Sequence, residues 1–465
     1  MNPATGYRLQ ATGTGVVTGE RFASIGAGTR HRGTAAQRKT PRKKNLWVLV
    51  SLSLIISVGI SVNGFAQDTS VEQLVATALE RSPDIRAART AITTVGGQVT
   101  QAALRPNPTF TASQMLMTGA QHQALFEVEW PLDLSRRGAR VGAAQRSVEA
   151  TTLEVQDRER MLAASVREQA GRLLAARRNV QIMNEALTAA RRMRELLDAK
   201  VTEGYTPKLD ANIAAVEAGR LEADLVIAQA DAEAAAVELK ALVGLGPTEP
   251  LVLRESLETL VGTNDDASPQ QPASVAARPD VREAASRVTL AEARVEAARR
   301  EGRADMSLIG NYGREGYGFS QRGFDESGRL VPVQGNFHSF TVGATLLLPV
   351  RNRNQGAVAS ALAQRTAEEQ TLAARQLTAQ AELDAAVIRD REARRAVEMY
   401  ATSLRDLARQ NVDVQLEAYD LGRTPLNDLL TEQRRYLDVE AGYTSVLQRA
   451  WTTRVALRRA RGEIR

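Results

Sequence analysis

The sequence contains no cysteine and only three histidines, His31, His122 and His338, among its 465 residues. Disulfide bonds, thiolate metal sites and cysteine nucleophiles are therefore excluded, and no two histidines have the helical spacing of a zinc or non-haem iron site. Aromatic residues make up 4% of the chain, which disfavours an aromatic-rich globular core. The prevalence of alanine, arginine, glutamate, leucine and glutamine favours long helices or coiled coils. We expect a non-enzymatic protein with no cofactor and no resident metal ion.

The excess of positive charge is confined to the N-terminus. The whole chain has a formal net charge of +6, but residues 1–66 contain nine lysines and arginines against a single acid, Glu20. The remaining residues are close to neutral, with 51 basic and 53 acidic side chains. A basic excess outside the main body of the chain does not provide a phosphate-binding fold. We therefore expect no nucleic-acid partner.

An apolar run follows this basic segment, from Leu46 to Ile60, and small residues continue to Ala66. A basic segment, an apolar run and a small-residue site in this order are typical of a cleaved export signal. The alternative is a permanent N-terminal anchor, but the run is short for a spanning helix. The sequence therefore predicts a signal peptide over residues 1–66.

The rest of the sequence is duplicated. Six residue pairs recur 218 positions apart: Pro131/Pro349, Gly138/Gly356, Gly204/Gly422, Thr206/Thr424, Pro207/Pro425 and Asp210/Asp428. An upstream Pro-Asp motif recurs 196 positions apart, at Pro83 and Pro279. The second half therefore contains 22 additional residues, which we expect to form a longer loop between Gly313 and Gly335 because that stretch is rich in glycine and polar residues.

This duplication predicts two structural repeats, 67–243 and 279–465, joined by a linker over 244–278. Each repeat is expected to contain a helix, a strand pair and a long α-hairpin. The strand pairs are expected at 108–131 and 306–349.

The long helices are predicted from proline-free stretches with heptad spacing, 139–203 and 357–421. About 65 residues of helix extend about 100 Å. The return helices are expected at 208–243 and 426–461, after each Gly-x-Thr-Pro turn. The seam positions of the heptads include Leu162, Val166, Leu173, Val180 and Leu187 in the first half, and Val397, Leu404, Leu407, Val414 and Leu421 in the second, with alanine at several of the others. A dimeric coiled coil would explain these heptads but not the strands.

The strand segments contain every phenylalanine that follows the predicted signal peptide. Apolar residues alternate with polar ones, as at Phe126, Val128 and Trp130 against Glu127 and Glu129. This pattern is typical of a strand that faces lipid, although a hairpin packed on helices is the alternative. Four strands cannot close a barrel without unpaired edges in lipid, so several copies must contribute, and three copies give about twelve strands.

Four ordered motifs give the chain a resemblance to the TolC-like outer membrane efflux protein family. They are Leu-Arg-Pro-Asn-Pro at 104–108, the helix entry at 131–138, Leu-Pro-Val-Arg-Asn-Arg-Asn-Gln-Gly at 348–356 and Leu-Gly-Arg-Thr-Pro-Leu-Asn-Asp-Leu-Leu at 421–430. The last two are most similar to the heavy-metal (CzcC-like) branch. The resemblance covers nearly all of residues 68–462.

The resemblance implies an α+β membrane protein in which duplicated antiparallel α-hairpins form an α-barrel and a homotrimer closes a twelve-stranded β-barrel in the outer membrane. It implies an equatorial collar formed by the linker and the C-terminus. It also implies a channel that extends into the periplasm and exports metal ions or small toxic compounds from an inner-membrane pump of the resistance-nodulation-division type. A periplasmic adaptor protein would join the two, and outer membrane lipid would surround the strands.

The family comparison also suggests gate residues. In relatives, an acidic residue at the position of Asp428 lines the closed gate, and Asp210 is its counterpart in the first half. Three copies of such a residue would form a ring that selects cations. A second gate acid of some relatives falls on Thr431 here. The alternative is that both aspartates cap the first turn of the return helix.

The turn residues Gly204, Thr206, Leu421, Gly422 and Thr424 match the tips that relatives press against the adaptor. Left-handed turn geometry alone would also require glycine there. Other functions stay open at this stage: a type I protein-secretion duct of the same fold, a soluble periplasmic coiled-coil scaffold, and a periplasmic enzyme. The strands argue against the scaffold, and the absence of a catalytic cluster argues against the enzyme.

Overall fold

A computed structural model describes residues 69–116, 122–262 and 274–464, and the predicted signal peptide lies outside them. The helices are α1 (Val71–Arg81), α2 (Pro83–Ala103), α3 (Arg137–Thr202), α4 (Lys208–Val243), α5 (Leu257–Gly262), α6 (Pro279–Glu301), α7 (Gln355–Met399), α8 (Arg405–Asp420) and α9 (Leu426–Arg461). The strands are β1 (Thr109–Leu116), β2 (His122–Pro131), β3 (Asp305–Phe324) and β4 (Leu330–Leu347). Across these described ranges, none of the helices is both long and apolar enough to span a membrane.

The two halves follow the same order: a helix, two strands and a long hairpin. The helices α2 and α6 both begin at a proline in the first helical position, where the missing N–H group would have no helical partner in any case. The hairpins consist of α3 with α4, and of α7 and α8 with α9. The long hairpins and the four strands predicted from the sequence are therefore present.

The strands form one antiparallel sheet in the order β1-β2-β3-β4. Its large apolar side chains remain exposed: Phe126 is 40% exposed, Phe340 79% and Val342 88%. Between them, Glu127 and Glu129 are only half-buried. The alternative of a hairpin packed on helices is therefore wrong, because the face that would meet the helices is uncovered.

The prediction of a loop between Gly313 and Gly335 is wrong for most of that stretch. These residues continue β3 to Phe324 and begin β4 at Leu330, with a turn only between. Glycine is needed in part of this stretch for close packing, since a Cβ at Gly316 would overlap the imidazole of His122. The glycines therefore permit close side-chain approach on a sheet and do not break the strands.

The main core lies where α1, α3, α4 and α9 meet the segment 251–261. Arg167 is almost fully buried there and donates to both carboxylate oxygens of Glu72, at 3.0 and 2.6 Å. The indole nitrogen of Trp451 donates to the backbone carbonyl of Arg167 at 2.7 Å. Gly171 lies directly against the indole ring, so the Trp451 side chain of α9 packs on the backbone of α3.

The predicted heptad seams differ in their burial. In α3, Val166, Leu173 and Leu187 are buried as expected. In α8, Leu407 and Val414 are 56% and 65% exposed, so this half of the seam has no partner within the described part of one chain. The second long helix is also interrupted by a π-turn, Tyr400–Leu404, which heptad spacing did not predict.

Candidate functional site at the hairpin tips

The two hairpin turns have the same backbone geometry. Gly204 and Gly422 have φ angles of +79° and +67°, which L-residues adopt only at a cost. The residue after each glycine donates its N–H group back to the helix, Tyr205 to Lys200 and Arg423 to Ala418, both at 2.9 Å. These are Schellman motifs, which end a helix by satisfying its last carbonyl groups. A proline then directly precedes the return helix in both hairpins.

The tip residues differ in their exposure. Leu421 is 60% exposed and Tyr205 is 80% exposed, so each turn presents one large side chain to solvent. Thr206 and Thr424 are half-buried. The hydroxyl of Thr424 is enclosed and has no hydrogen-bond partner among the described residues.

The predicted gate acids occupy equivalent positions, the third residue of α4 for Asp210 and of α9 for Asp428. Each backbone N–H group donates to the proline that precedes its helix, at 3.1 and 3.2 Å. Neither carboxylate accepts a hydrogen bond within the described residues, so no side-chain cap of the kind proposed as the alternative is formed there. Their negative charges nevertheless lie at the positive end of the helix dipole.

Asp428 borders a groove between α8 and α9. The groove is lined by Asn411, Val414, Gln415, Asp428, Thr431, Glu432 and Arg435. Thr431 donates its hydroxyl to the carbonyl of Asn427 at 2.7 Å, and Glu432 forms an ion pair with Arg435. Sequence comparison considered Thr431 and missed Glu432, which brings a second carboxylate to the same groove.

The two tips pack against each other through a small apolar cluster. Its buried members are Leu197, Ala211, Ala214, Leu426 and Leu430. Tyr419 lies at its margin, with the ammonium group of Lys200 5.9 Å from its ring centre. Burial raises the pKa of the Tyr419 hydroxyl, and the carboxylates of Asp210 and Asp420 raise it further. The tip of one hairpin is thus electrostatically coupled to the other.

A buried ion pair joins the hairpins further along. Arg434 of α9 donates to Glu217 of α4 at 2.6 Å, and Arg220 donates to the other oxygen of the same carboxylate at 2.6 Å. Burial alone would raise the pKa of Glu217, but these hydrogen bonds outweigh it and hold the pKa below its usual 4.5. Sequence reasoning missed Glu217, although its place in the apolar stripe of Ala214, Ala218 and Leu221 indicates a buried carboxylate.

A second polar link lies beside the π-turn. Glu440 of α9 accepts hydrogen bonds from Arg405 at 2.7 Å and from Arg178 of α3 at 2.8 Å. The two guanidinium groups lie 4.4 and 5.2 Å from the ring centre of Tyr443. A cavity of about 310 Å³ separates this link from the Glu217 pair. The two hairpins are therefore joined by ion pairs on both sides of an internal cavity.

The arrangement offers little for metal chemistry. Among the described residues, no three histidine or acidic side chains come close enough to hold a metal ion. His338 accepts or donates a hydrogen bond with the hydroxyl of Tyr312 at 2.8 Å, and His122 lies over Gly316. Both histidines therefore lie against other residues of the sheet.

Comparison with known proteins identifies relatives of this arrangement. Residues 74–245 match the family described as outer membrane efflux protein. No protein of curated function matches the sequence.

Solved structures match most of the chain. CusC matches with a TM-score of 0.69 at 17% identity, covering 86% of this chain and 93% of that one. The CmeC outer membrane channel of Campylobacter jejuni gives a TM-score of 0.67 at 16% identity, covering 85% of this chain and 86% of that one. The open state of the MtrE outer membrane channel of Neisseria gonorrhoeae gives a TM-score of 0.66 at 18% identity, covering 84% of this chain and 89% of that one. The chain therefore has the fold of TolC-like channels.

The family match thus covers the first half of the described residues, and the solved structures share the fold of most of the chain.

Proposed function

From a family match that describes outer membrane efflux proteins, we propose that this chain is the exit duct of a tripartite efflux system. The duct receives its substrate from an inner-membrane pump of the resistance-nodulation-division type through a periplasmic adaptor. The substrates are metal ions or small toxic compounds, and the pump supplies the energy. The duct itself needs no catalytic residue, because it lowers no chemical barrier.

The observation that carries this proposal is the sheet with exposed apolar side chains at one end of two long hairpins. Phe110, Val128 and Trp130 are 66%, 43% and 52% exposed, which is costly in water and favourable in lipid. The hairpin helix α3 has 66 residues, about 100 Å at 1.5 Å per residue. A lipid-facing sheet and helices of this length suit a channel that continues from the outer membrane into the periplasm.

A homotrimer is supported by the faces that one chain leaves uncovered. In α4, Leu209, Val216 and Ile227 are 65%, 74% and 62% exposed. In α8, Leu407 and Val414 are similarly exposed. We propose that these faces pack against neighbouring copies and that three four-stranded sheets close one barrel of about twelve strands.

The gate and the docking tips are further parts of the proposal. Asp428 and, to a smaller degree, Asp210 line the periplasmic constriction. Gly204, Thr206, Leu421, Gly422 and Thr424 form the adaptor contact. Support comes from the recurrence of both turns and from the exposure of Leu421.

Heavy metal ions are the substrates favoured by motif similarity at 348–356 and 421–430. A ring of carboxylates at the constriction would suit the passage of cations. A type I protein-secretion duct is the remaining alternative of the same fold, and a soluble scaffold is disfavoured by the exposed sheet.

Single-channel recording in planar lipid bilayers tests the proposal. Purified mature protein should migrate as a trimer in detergent and conduct ions. The Leu407→Glu, Val414→Glu variant should yield monomers without conductance, because it places charges in the proposed interface. Arg409→Glu, an exposed position on the same helix, serves as the control and should remain trimeric. A stable monomeric wild type, or folded trimers without conductance, would contradict the proposal.

A further inference from the structure

All four junctions between strands and helices lie at the same end of the sheet. Thr109 at the start of β1 pairs with Glu129 near the end of β2. Pro131 at the end of β2 pairs with Ser307, and Asp305 at the start of β3 pairs with Leu347 at the end of β4. The junction segments 104–108, 132–140, 299–304 and 348–354 therefore meet along one edge.

Hydrogen bonds connect these segments in sequence across the edge. Arg137 and Arg140 donate to the carbonyl groups of Ala103 and Ala102 at the end of α2, at 2.6 and 3.0 Å. Arg136 donates to the carbonyl of Arg303 at 3.3 Å.

The last junction is joined in the same way. The amide of Asn354 donates to the carbonyl of Ala298 at 2.8 Å. Gly302 also lies directly against the backbone of Arg353. The four junctions thus form one continuous band.

This band is strongly basic. Its nine arginines are Arg105, Arg136, Arg137, Arg140, Arg299, Arg300, Arg303, Arg351 and Arg353. Four carboxylates accompany them, Asp133, Glu301, Asp305 and Glu296, which accepts a hydrogen bond from Arg300 at 2.6 Å. At the opposite end of the sheet, Arg322 and Arg329 are balanced by Asp325 and Glu326. We call the nine arginines at the junction end of the sheet the arginine band.

Helix stability does not explain why the band is basic where α3 and α7 begin. The positive end of a helix dipole favours acids and disfavours cations. The first turns of α1, α2, α4, α6 and α9 each contain an acid, whereas those of α3 and α7 contain none. Helix α3 begins instead with Arg137, and Arg351 and Arg353 lie in the segment directly before α7. An arrangement that opposes local stability indicates a role beyond the helix itself.

Three arginines of the band form no ion pair within the part of the chain that the structure describes. Arg140 pairs with Asp133 at 2.8 Å, and Arg136 lies 3.5 Å from Glu301. Arg105, Arg351 and Arg353 are exposed, and their side chains form no ion pair with any residue that the structure describes. Their charges are therefore available to a ligand.

Large apolar side chains border the same band. Leu134, Leu348 and Val350 are 67%, 61% and 72% exposed, and Trp130 is 52% exposed one position from the end of β2. Exposed apolar groups beside arginine, with a tryptophan at the boundary, are typical of the interface between lipid tails and headgroups.

We propose that the arginine band binds the phosphate groups of anionic phospholipids in the periplasmic leaflet of the outer membrane. This inference rests on the proposed function, because it requires the sheet to lie in that membrane. Guanidinium groups bind phosphate oxygens in bidentate geometry. The neighbouring apolar side chains insert among the acyl chains, so the band fixes the depth at which the sheet ends and the helices begin.

Native mass spectrometry of the full mature protein in neutral detergent tests this proposal with phosphatidylglycerol as the probe. Wild type should retain phosphatidylglycerol in preference to zwitterionic phosphatidylcholine. The variant Arg105→Gln, Arg351→Gln, Arg353→Gln should lose affinity for phosphatidylglycerol by about tenfold or more, since each basic side chain near an anionic headgroup contributes a severalfold preference. The corresponding triple lysine variant keeps the charge and should retain most of the affinity.

The matched control is Arg375→Gln, Arg389→Gln, Arg409→Gln, which removes three exposed arginines from α7 and α8 and should bind like wild type. Equal affinity in the band variant and wild type would overturn the proposal, as would equal retention of both lipids by wild type. Tight binding of inorganic phosphate in competition with the lipid would identify a free-anion site and would also overturn it. Bilayer conductance is recorded on the same samples: a conducting channel without lipid preference refutes this inference alone, whereas absence of a channel refutes the proposed function.

Discussion

Asp428 is the residue whose two possible roles differ most clearly in a measurement. If three copies form a ring at the constriction, Asp428→Asn should weaken the preference for cations, because charges in a narrow pore act at short range. As a helix cap, the same change would cost only a few tenths to about 1 kcal/mol, since asparagine caps nearly as well. The free carboxylate at the groove favours the ring. We expect the reversal potential in a salt gradient to move toward zero.

The matched variant Asp210→Asn should have a smaller effect on the reversal potential, because Asp210 is half-buried beside the opposite hairpin. An unchanged potential in Asp428→Asn, with a normal trimer, would rule out the ring.

Glu217 predicts how acid weakens the contact between the hairpins. Its pKa in the folded protein lies below 4.5, so its ion pairs contribute stability above that pH, and the contribution is lost as the pH falls further. The midpoint of thermal unfolding in detergent should therefore decrease below about pH 4.5. Glu217→Gln should lower the midpoint at neutral pH and reduce this acid dependence. Glu195→Gln, an exposed glutamate on α3, should leave both unchanged.

Single residues were predictable where backbone geometry selects them. A turn that needs a positive φ angle favours glycine at that position. The recurring Gly-x-Thr-Pro pattern therefore located Gly204 and Gly422 correctly. Glu217 and Glu440 were not found, because a buried ion pair depends on which helices become neighbours. That information is absent from the periodicity of any one helix.

At the scale of elements, the crossing of α3 and α9 depends on one glycine. A Cβ at Gly171 would overlap the buried indole of Trp451, so Gly171→Ala should destabilise the protein by about 1–3 kcal/mol through overpacking. Gly142→Ala on the same helix meets no atom within 4 Å and should stabilise it by roughly 0.5–1 kcal/mol. Denaturant unfolding followed by circular dichroism measures both. Equal stability of the two variants would contradict the packing described.

The hairpin turns lead to a separate prediction about assembly with the adaptor. In both turns the space around the glycine is open, but the positive φ strains any other residue. The double variant Gly204→Trp, Gly422→Trp should abolish efflux in a resistance assay while the trimer still assembles, because bulky tips would prevent docking. The double alanine variant is the control for backbone strain alone, because the left-handed conformation costs an alanine about 1–2 kcal/mol at each position. Normal resistance in the tryptophan variant would exclude the tips as the docking site.

Helices were easier to predict than strands. The long helices begin and end within two residues of the expected bounds, since proline and glycine mark their limits. The prediction of a loop over 313–335 was wrong because the glycines there were interpreted as loop formers. Instead, they make room for side chains such as His122. The π-turn at Tyr400–Leu404 was also missed, because one additional residue in a helical turn leaves little trace in a heptad pattern.

At the scale of the whole molecule, contacts within one chain account for only part of the apolar pattern in its sequence. The seam of α3 is buried within the chain, while Leu407 and Val414 of α8 are exposed. Both seams have the same spacing, so periodicity alone cannot distinguish a contact within a chain from one between copies. The same limit applies to the arginine band, whose nine charges lie in four separate segments and meet only after folding.

The unequal lengths of the strands have a consequence for the cell surface. Among the described residues, the pairing of β2 with β3 ends at Gly316, whereas β4 continues from the partner of Gly316, Asn336, back to Leu330. The β3–β4 hairpin therefore extends about 20 Å past the described end of β2, at about 3.3 Å per residue. This end is opposite the arginine band. An epitope tag inserted after Gly328, in the exposed turn, should therefore bind antibody on intact cells without loss of conductance. A tag inserted after Gly204 should become accessible only after the outer membrane is permeabilised. If the sheet spans the outer membrane as proposed, the long hairpin is an antigen that antibodies reach from outside the cell.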